Sequence, residues 1–257
     1  MLKKITIITV VKNEYASIDT TVKSVLSQTY PKIEYIIIDG NSKDGTYAKL
    51  QKYKKYSNVK ILKKNDKNLY EAINYGIQIS NGDYIGFLHA GDRFLSNCSI
   101  SKILRKIKFS CDFFFSKLII CNKKKRIIRK WGFSINKKNF LQSFFKVAHP
   151  TLFINKKIKK KIKYDTNFYI SADTNYLLDL SKLYNLKWQY VKIYSIAMEN
   201  GGLSNSWKNL TQKIYQDISI LTKRLGYLLG LYVYLNKVII KIPSLLKFKI
   251  YTKYLHE

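Results

Sequence analysis

The stretch ITIITVVKNE, residues 5–14, decides the fold class. Its residues 5–11 are apolar or β-branched almost without interruption, which is typical of a strand buried on both faces of a parallel sheet. The polar residues Lys12, Asn13 and Glu14 then end the run. The stretch therefore predicts an α/β protein whose first strand lies inside a parallel sheet.

Strands and helices alternate after this first strand. Helical spacing of apolar residues begins at Ser17 and stops before Pro31, and further segments follow in regular order. The predicted strands are 33–38, 59–62 and 84–88, and the predicted helices between them are 46–56 and 69–79. This β-α-β-α-β-α-β order predicts a right-handed, mainly parallel, Rossmann-like sheet with helices on both faces.

The pattern loosens after Asp92. We predict strands at 112–115, 117–120, 149–154 and 188–191, a hairpin turn at 123–126, a helix at 174–183 and a mobile or lid loop at 200–204. Residues 1–206 form one predicted domain with halves 1–95 and 96–206. Residues 207–257 are predicted as a basic amphipathic helical tail that Pro243 interrupts.

The chain is strongly basic. It has 47 Lys and Arg residues against 16 Asp and Glu residues, a formal net charge of +31. Arginine, the side chain best suited to bind phosphate groups through two hydrogen bonds, is scarce. The charge therefore does not favour a nucleic-acid-binding module, which remains the less favoured alternative. The lysine-rich tail leaves two alternatives open: contact with an anionic membrane surface, or packing on the catalytic domain with the lysines in solvent.

Acidic side chains are concentrated where strands end. Asn13-Glu14, Asp39, Asp66 and Asp92 each follow a predicted strand, and ligands of such sheets bind beyond the carboxyl ends of the strands. Each acid could instead cap a helix. Asp39 could accept a hydrogen bond from a base or a ribose, and Asp92 could hold Mg²⁺ or Mn²⁺ on a diphosphate.

The order of motifs resembles that of family-2 glycosyltransferases with the GT-A fold, in particular bacterial enzymes that build exopolysaccharide, capsule or lipopolysaccharide. The motifs are residues 7–14, 24–30, 38–46, 66–74, 82–88 and 90–92, followed by 149–151 and 172–173. The resemblance implies an inverting transfer of a sugar from a nucleotide-sugar donor, with a preference for UDP, to a hydroxyl of a glycan or lipid-linked acceptor. Residues 1–95 would bind the nucleotide and 96–206 the acceptor.

The resemblance also implies roles for particular residues. Asp173 would be the catalytic base, although without the resemblance a cap of its own helix would be the favoured role. His149 precedes an apolar strand near the expected crevice, which favours a contact with donor or acceptor, and a histidine satisfied by a backbone carbonyl is the alternative. Asp92 would bind the divalent cation. The implied nucleotide-sugar contacts are Thr9, Val11, Glu14, Asp39, Asp66 and Asp92. Lys67, next to Asp66, could add positive charge near the phosphates, and the alternative is an ordinary solvated lysine of a basic chain.

Two positions depart from the family pattern. Gly91 stands where an acid is usual, and Asn68 stands where glycine is usual. Gly91 leaves open the alternative of a glycosyltransferase-like scaffold that has lost catalysis. No apolar run approaches the roughly 20 residues that span a bilayer, and Met1 to Lys4 run directly into the first strand. We therefore expect a cytoplasmic protein that is either soluble or peripheral on the inner face of the plasma membrane.

Overall fold

The structure is a computed structural model that describes residues 2–108, 111–133, 144–159, 161–183, 186–201 and 209–240. Within these ranges the strands are β1 Ile5–Val11, β2 Ile33–Asp39, β3 Val59–Lys63, β4 Tyr84–Phe87, β5 Arg93–Phe94, β6 Phe113–Cys121, β7 Ile127–Trp131, β8 Phe153–Asn155 and β9 Trp188–Glu199. The α-helices are α1 Ile18–Leu26, α2 Thr46–Leu50, α3 Leu69–Ile79, α4 Ser99–Leu104, α5 Ala172–Lys182, α6 Leu210–Leu225 and α7 Tyr227–Ile239.

One mixed sheet joins the described strands in the order β3-β2-β1-β4-β8-β6-β9-β5, with β7 paired to β6. The first four strands are parallel to one another, as the alternation predicted. The second half adds antiparallel pairs, because β8 runs against both β4 and β6. The α/β prediction is confirmed, and the sheet is parallel in its first half and mixed overall.

Helices cover both faces of the sheet. Along β2, Ile36 and Ile38 pack into the core that also contains Ile73 of α3. Tyr35 and Ile37 point to the opposite core, beside Val22 of α1. Both faces of β2 are therefore buried, which explains why its sequence is continuously apolar rather than an alternation of apolar and polar residues.

The second half differs from prediction in detail. Phe113–Cys121 is one long strand instead of two, and the residues predicted as a strand from 149 begin with a 3₁₀ turn, His149–Thr151. Pro150 in this turn donates no backbone hydrogen bond, so the ladder begins only at Phe153. Of the predicted loop at 200–204, residues 202–204 lie outside the described residues.

The described part of the predicted tail is part of the main core. Ile220, Leu221 and Val233 are buried in the same cluster as α5, so residues 210–240 are not a separate appendage. Gly226 separates α6 from α7 with a φ of +83°. Pro243 lies outside the described residues. No helix in the described ranges is long and apolar enough to cross a membrane.

Candidate active site

Asp39 ends β2 at the carboxyl edge of the sheet, in register with Val11 of β1. Its side chain is fully buried. Oδ1 accepts a hydrogen bond of 2.8 Å from the N–H of Ser42, whereas Oδ2 is buried with no partner in the described part of the chain. A buried acceptor without a donor is costly, so a ligand N–H or hydroxyl would satisfy a need that the protein leaves open.

Asp66 repeats this arrangement after the neighbouring strand β3. Its side chain is 3% exposed, and Oδ1 forms an ion pair with the ammonium of Lys64. Oδ2 is buried and has no partner among the described residues. The N–H of Lys64 donates to the carbonyl of Asp39 at 2.9 Å. The two acidic loops are therefore linked, and each presents one unsatisfied oxygen.

The other predicted nucleoside contacts are placed differently. Thr9 is fully buried, and its hydroxyl bonds to the Leu88 carbonyl at 2.5 Å and to the Tyr35 hydroxyl at 2.9 Å. Its side chain therefore ties β1 to β2 and to the residue that follows β4. Val11 is also buried, and its carbonyl accepts from Gly40 at 2.8 Å.

Glu14 and Lys67 are exposed. The carboxylate of Glu14 accepts a hydrogen bond of 2.5 Å from the hydroxyl of Ser17, at the start of α1. The N–H of Lys67 donates to the carboxylate of Glu71 at 2.9 Å, while its ammonium extends from an exposed side chain. Both side chains lie on loops that follow strands of the parallel half, on the same edge as Asp39.

The turn His89-Ala90-Gly91-Asp92 follows β4 and is held by α1. The Thr21 hydroxyl accepts from the N–H of Gly91 at 3.1 Å and donates to the carbonyl of Asp92 at 2.7 Å. Gly91 has a φ of +90°, which a glycine adopts without strain. The turn is thus fixed by a buried side chain that the sequence analysis did not select.

Asp92 is 7% exposed. One carboxylate oxygen accepts a hydrogen bond of 3.2 Å from the N–H of Glu199, at the end of β9. Burial raises the pKa of Asp92 to about 8, and the nearby negative charge of Glu199 adds to the shift. Without a compensating positive charge, this carboxyl group is protonated near neutral pH.

Asp173 lies in the first turn of α5 and is partly exposed. One oxygen accepts from the N–H of Thr174 at 2.8 Å, so the capping alternative is part of its role. The other oxygen has no hydrogen bond to any described residue. The Tyr70 hydroxyl of α3 donates to the Ile170 carbonyl at 3.0 Å, which fixes the segment leading into this turn.

His149 connects the two halves of the site. Its Nε2 is hydrogen-bonded to the Tyr164 hydroxyl, and its ring stacks on Phe87 of β4 with centroids 5.0 Å apart. Burial lowers its pKa, and the charge of Asp173 opposes this shift. His149 is therefore a neutral ring between the end of β4 and the Asp173 turn.

His89 lies parallel to His149, with centroids 6.1 Å apart. Burial lowers the pKa of His89 to about 3, and the neighbouring His149 contributes to the shift. Its Nδ1 is buried with no partner in the described ranges. Sequence reasoning missed His89, which lies between the motifs 82–88 and 90–92, and it missed Glu199 because no local signal marks that residue.

In the described ranges, no group of three or more His, Cys, Asp or Glu side chains could hold a metal ion by itself. Asp92 and Glu199 form a pair of hard oxygen donors, which suits Mg²⁺ or Mn²⁺ when a diphosphate and water complete the coordination. The donor chemistry present therefore fits a substrate-bridged cation.

Comparison with known proteins identifies the family of the chain. The family model described as Glycosyl transferase family 2 matches residues 6–175. An uncharacterized glycosyltransferase of Mycobacterium tuberculosis is 27% identical over 191 residues, covering 68% of this chain and 67% of the relative. The Escherichia coli UDP-Glc:α-D-GlcNAc-diphosphoundecaprenol β-1,3-glucosyltransferase WfaP is 34% identical over 108 residues, covering 42% of this chain and 41% of WfaP.

The fold is also found in a solved structure. Staphylococcus aureus TarS residues 1–349, in complex with UDP-GlcNAc, superimposes with a TM-score of 0.63 at 14% identity, covering 91% of this chain and 72% of that one. At this identity the likeness shows a shared GT-A fold. The match of the family model spans the parallel sheet, the Asp92 turn and the Asp173 turn. The chain is therefore a glycosyltransferase and belongs to glycosyl transferase family 2.

Proposed function

We propose that this enzyme transfers a sugar, with inversion, from a UDP-sugar to a hydroxyl of a glycan or lipid-linked acceptor in bacterial surface polysaccharide synthesis. The observation that carries the donor assignment is the pair of unsatisfied buried oxygens on Asp39 and Asp66. Uracil has an N–H and ribose has hydroxyls, and these donors would satisfy both carboxylates. Val11 and Glu14 border the same edge of the sheet, and the Lys67 ammonium is available to the phosphates.

A divalent cation, Mg²⁺ or Mn²⁺, would be held by Asp92 and would neutralise the leaving diphosphate. Asp92 is suited to this role because a dication offsets the burial that raises its pKa. The neutral rings of His89 and His149 add no competing positive charge. They exclude water from the region between the cation side and the acceptor side.

Asp173 takes the proton from the acceptor hydroxyl. Its one oxygen without a hydrogen bond, in a half-exposed turn, can reach an incoming hydroxyl, while the bond to Thr174 orients the carboxylate. Attack on one face with departure on the other is a single displacement, which inverts the anomeric centre. His149 lies between Phe87 and Tyr164 and would contact donor or acceptor from that position.

The test is a transfer assay with a panel of UDP-sugars and a polyprenyl-diphosphate-linked sugar as acceptor, with and without EDTA. We expect Asp173→Asn to lower turnover by about 10²–10⁴-fold and to leave UDP affinity unchanged. Asp179→Asn removes a carboxylate from the same helix and should keep activity. NMR of the product gives its anomeric configuration. UDP binding without turnover of any donor would instead support the scaffold that has lost catalysis.

We also propose that the protein contacts an anionic membrane surface, such as the inner face of the plasma membrane. Four exposed apolar side chains lie along one face of α7 and form a stripe. The most exposed of them is Leu228, at 83%. The opposite face, Gly230, Val233 and Lys237, is buried. Lys223 and Arg224 flank the stripe, and each basic residue near such a surface adds about 1 kcal/mol. The stripe consists of Leu228, Tyr232, Leu235 and Ile239.

Vesicle sedimentation tests this partner. We expect the full chain to sediment with vesicles containing phosphatidylglycerol at moderate salt and to stay in solution with pure phosphatidylcholine. Leu228→Ser combined with Ile239→Ser should weaken sedimentation, whereas Ile127→Ser, an exposed apolar position on β7, should not. Absence of sedimentation with both vesicles, together with a concentration-dependent dimer in ultracentrifugation, would replace the membrane by a second copy of the chain.

A further inference from the structure

We propose that Glu199 supplies the second carboxylate of the cation–diphosphate site and so replaces the acid that is absent at position 91. The inference rests on the proposed function, because it assigns a residue to the same donor site. It removes the main reason for regarding Gly91 as a sign of lost catalysis.

The register of the sheet brings the two positions together. In the antiparallel pair of β5 and β9, Arg93 lies opposite Ala197 and Phe94 opposite Ile196. Continuing this register by two residues places Gly91 opposite Glu199. The hydrogen bond from the N–H of Glu199 to the carboxylate of Asp92, at 3.2 Å, agrees with this continuation.

The Glu199 side chain lies over the α-carbon of Gly91. A Cβ added to Gly91 would lie 3.3 Å from the Cβ of Glu199 and 3.6 Å from its Oε2. The Glu199 carboxylate therefore occupies the space beside Asp92 that a side chain at position 91 would enter. Cross-strand neighbours at this separation share one environment, so the acid is kept in place although its position in the sequence is different.

The charges around the pair point to a cation. Neither Asp92 nor Glu199 forms an ion pair in the described part of a chain with 47 basic residues. Two adjacent carboxylates without a counter-ion are unfavourable, and a divalent cation would bind both.

A purely structural role for the Glu199 carboxylate has little support. The contact that holds the Asp92 turn uses the backbone N–H of Glu199, which every non-proline substitution retains. Its carboxylate has no hydrogen-bond partner among the residues that the structure describes. Glu199→Gln preserves size and backbone and removes only the charge, so it separates the two roles.

The experiment measures Mn²⁺ binding in the presence of UDP, by electron paramagnetic resonance of free Mn²⁺. We expect Glu199→Gln to weaken Mn²⁺ binding by about tenfold or more, the scale on which altered metal surroundings reduce affinity. Glu34→Gln removes the same charge from the amino-terminal end of β2, at the opposite edge of the sheet, and should leave the affinity unchanged.

Thermal unfolding provides a second readout. Without metal, Glu199→Gln should melt close to the wild-type temperature because the Glu199 carboxylate has no hydrogen-bond or ion-pair partner among the described residues, and the variant should gain less stability from Mn²⁺ and UDP. Equal Mn²⁺ affinity in wild type and Glu199→Gln would overturn the role of Glu199 and leave the proposed function intact. A wild-type protein that binds UDP but no Mn²⁺ would instead contradict the cation in the proposed function itself.

Discussion

The side-chain hydroxyl of Thr21 donates a hydrogen bond of 2.7 Å to the main-chain carbonyl of Asp92. The same hydroxyl accepts from the N–H of Gly91 at 3.1 Å. A residue of α1 thereby holds the turn that carries the proposed cation ligand. The hydroxyl also lies 3.2 Å from the carbonyl of His89. All three contacts are backbone groups of the turn, so one fully buried oxygen ties α1 to it.

We predict that Thr21→Val lowers the free energy of unfolding by about 1–3 kcal/mol, because a buried N–H and a buried carbonyl lose their partner while the shape is kept. Urea unfolding measures this change. Thr20→Val is the matched control, since the Thr20 side chain makes no hydrogen bond to the described residues. A smaller loss for Thr21→Val than for Thr20→Val would contradict the role assigned to this hydroxyl.

The raised pKa of Asp92 predicts a pH dependence of stability. Its ordinary value is 3.8, and burial raises the folded value to about 8. Between these values the unfolded chain has lost the proton that the folded state keeps, so stability falls as pH rises, by up to about 1.4 kcal/mol per pH unit. The decline should end above about pH 8.

The difference between wild type and Asp92→Asn isolates this contribution. Unfolding in urea with EDTA, measured at intervals from about pH 5 to about pH 9, should show a shallower decline for the variant, because an asparagine side chain cannot titrate. Parallel curves for the two proteins would show that the Asp92 carboxyl is ionised in the folded state.

Lys237 of α7 and Asp217 of α6 form a buried ion pair of 2.8 Å, and both contact the Thr174 hydroxyl of α5. Lys237→Met should destabilise the protein by about 3–5 kcal/mol, because the buried Asp217 carboxylate loses its counter-ion. Lys223→Met removes an exposed charge and should cost little. Adding Asp217→Leu to Lys237→Met should restore part of the loss, and denaturant unfolding of the three variants measures it.

At Gly230 we expect Gly→Ala to change stability in the direction opposite to the one that helix propensity alone predicts. In an exposed helix, Gly→Ala stabilises by about 1 kcal/mol. A Cβ at Gly230 would lie 2.6 Å from the carbonyl carbon and oxygen of Leu221 on α6, and backbone cannot move aside at low cost. We predict a net loss of about 1–3 kcal/mol for Gly230→Ala. Asn236→Ala, on the same helix and half-exposed, should be neutral or stabilising, and equal effects would argue against close packing of the two helices.

The parallel half of the sheet and the acids at its edge can be predicted from the amino-acid sequence alone. β1 and β2 are long apolar runs with polar residues at or just after the end. A strand that is buried on both faces is apolar throughout, so it can be recognised from the local sequence alone. Asp39, Asp66 and Asp92 follow from the same rule, since parallel strands end at one edge of a sheet. The helix α5, with Asp173 in its first turn, was likewise predicted from the spacing of its apolar residues.

The fold of the whole chain, in contrast, determines which buried oxygens have no hydrogen-bond partner and which distant residues complete the site. Thr9 is at the end of the right strand, yet its hydroxyl is enclosed by neighbouring strands. The burial of Lys237 depends on an acid and a hydroxyl from two other helices. Glu199 meets Asp92 across 107 positions of sequence, through an antiparallel register set by long-range packing. The register of two distant strands cannot be predicted from the residues at one position, because it depends on how the two strands pack along their whole length.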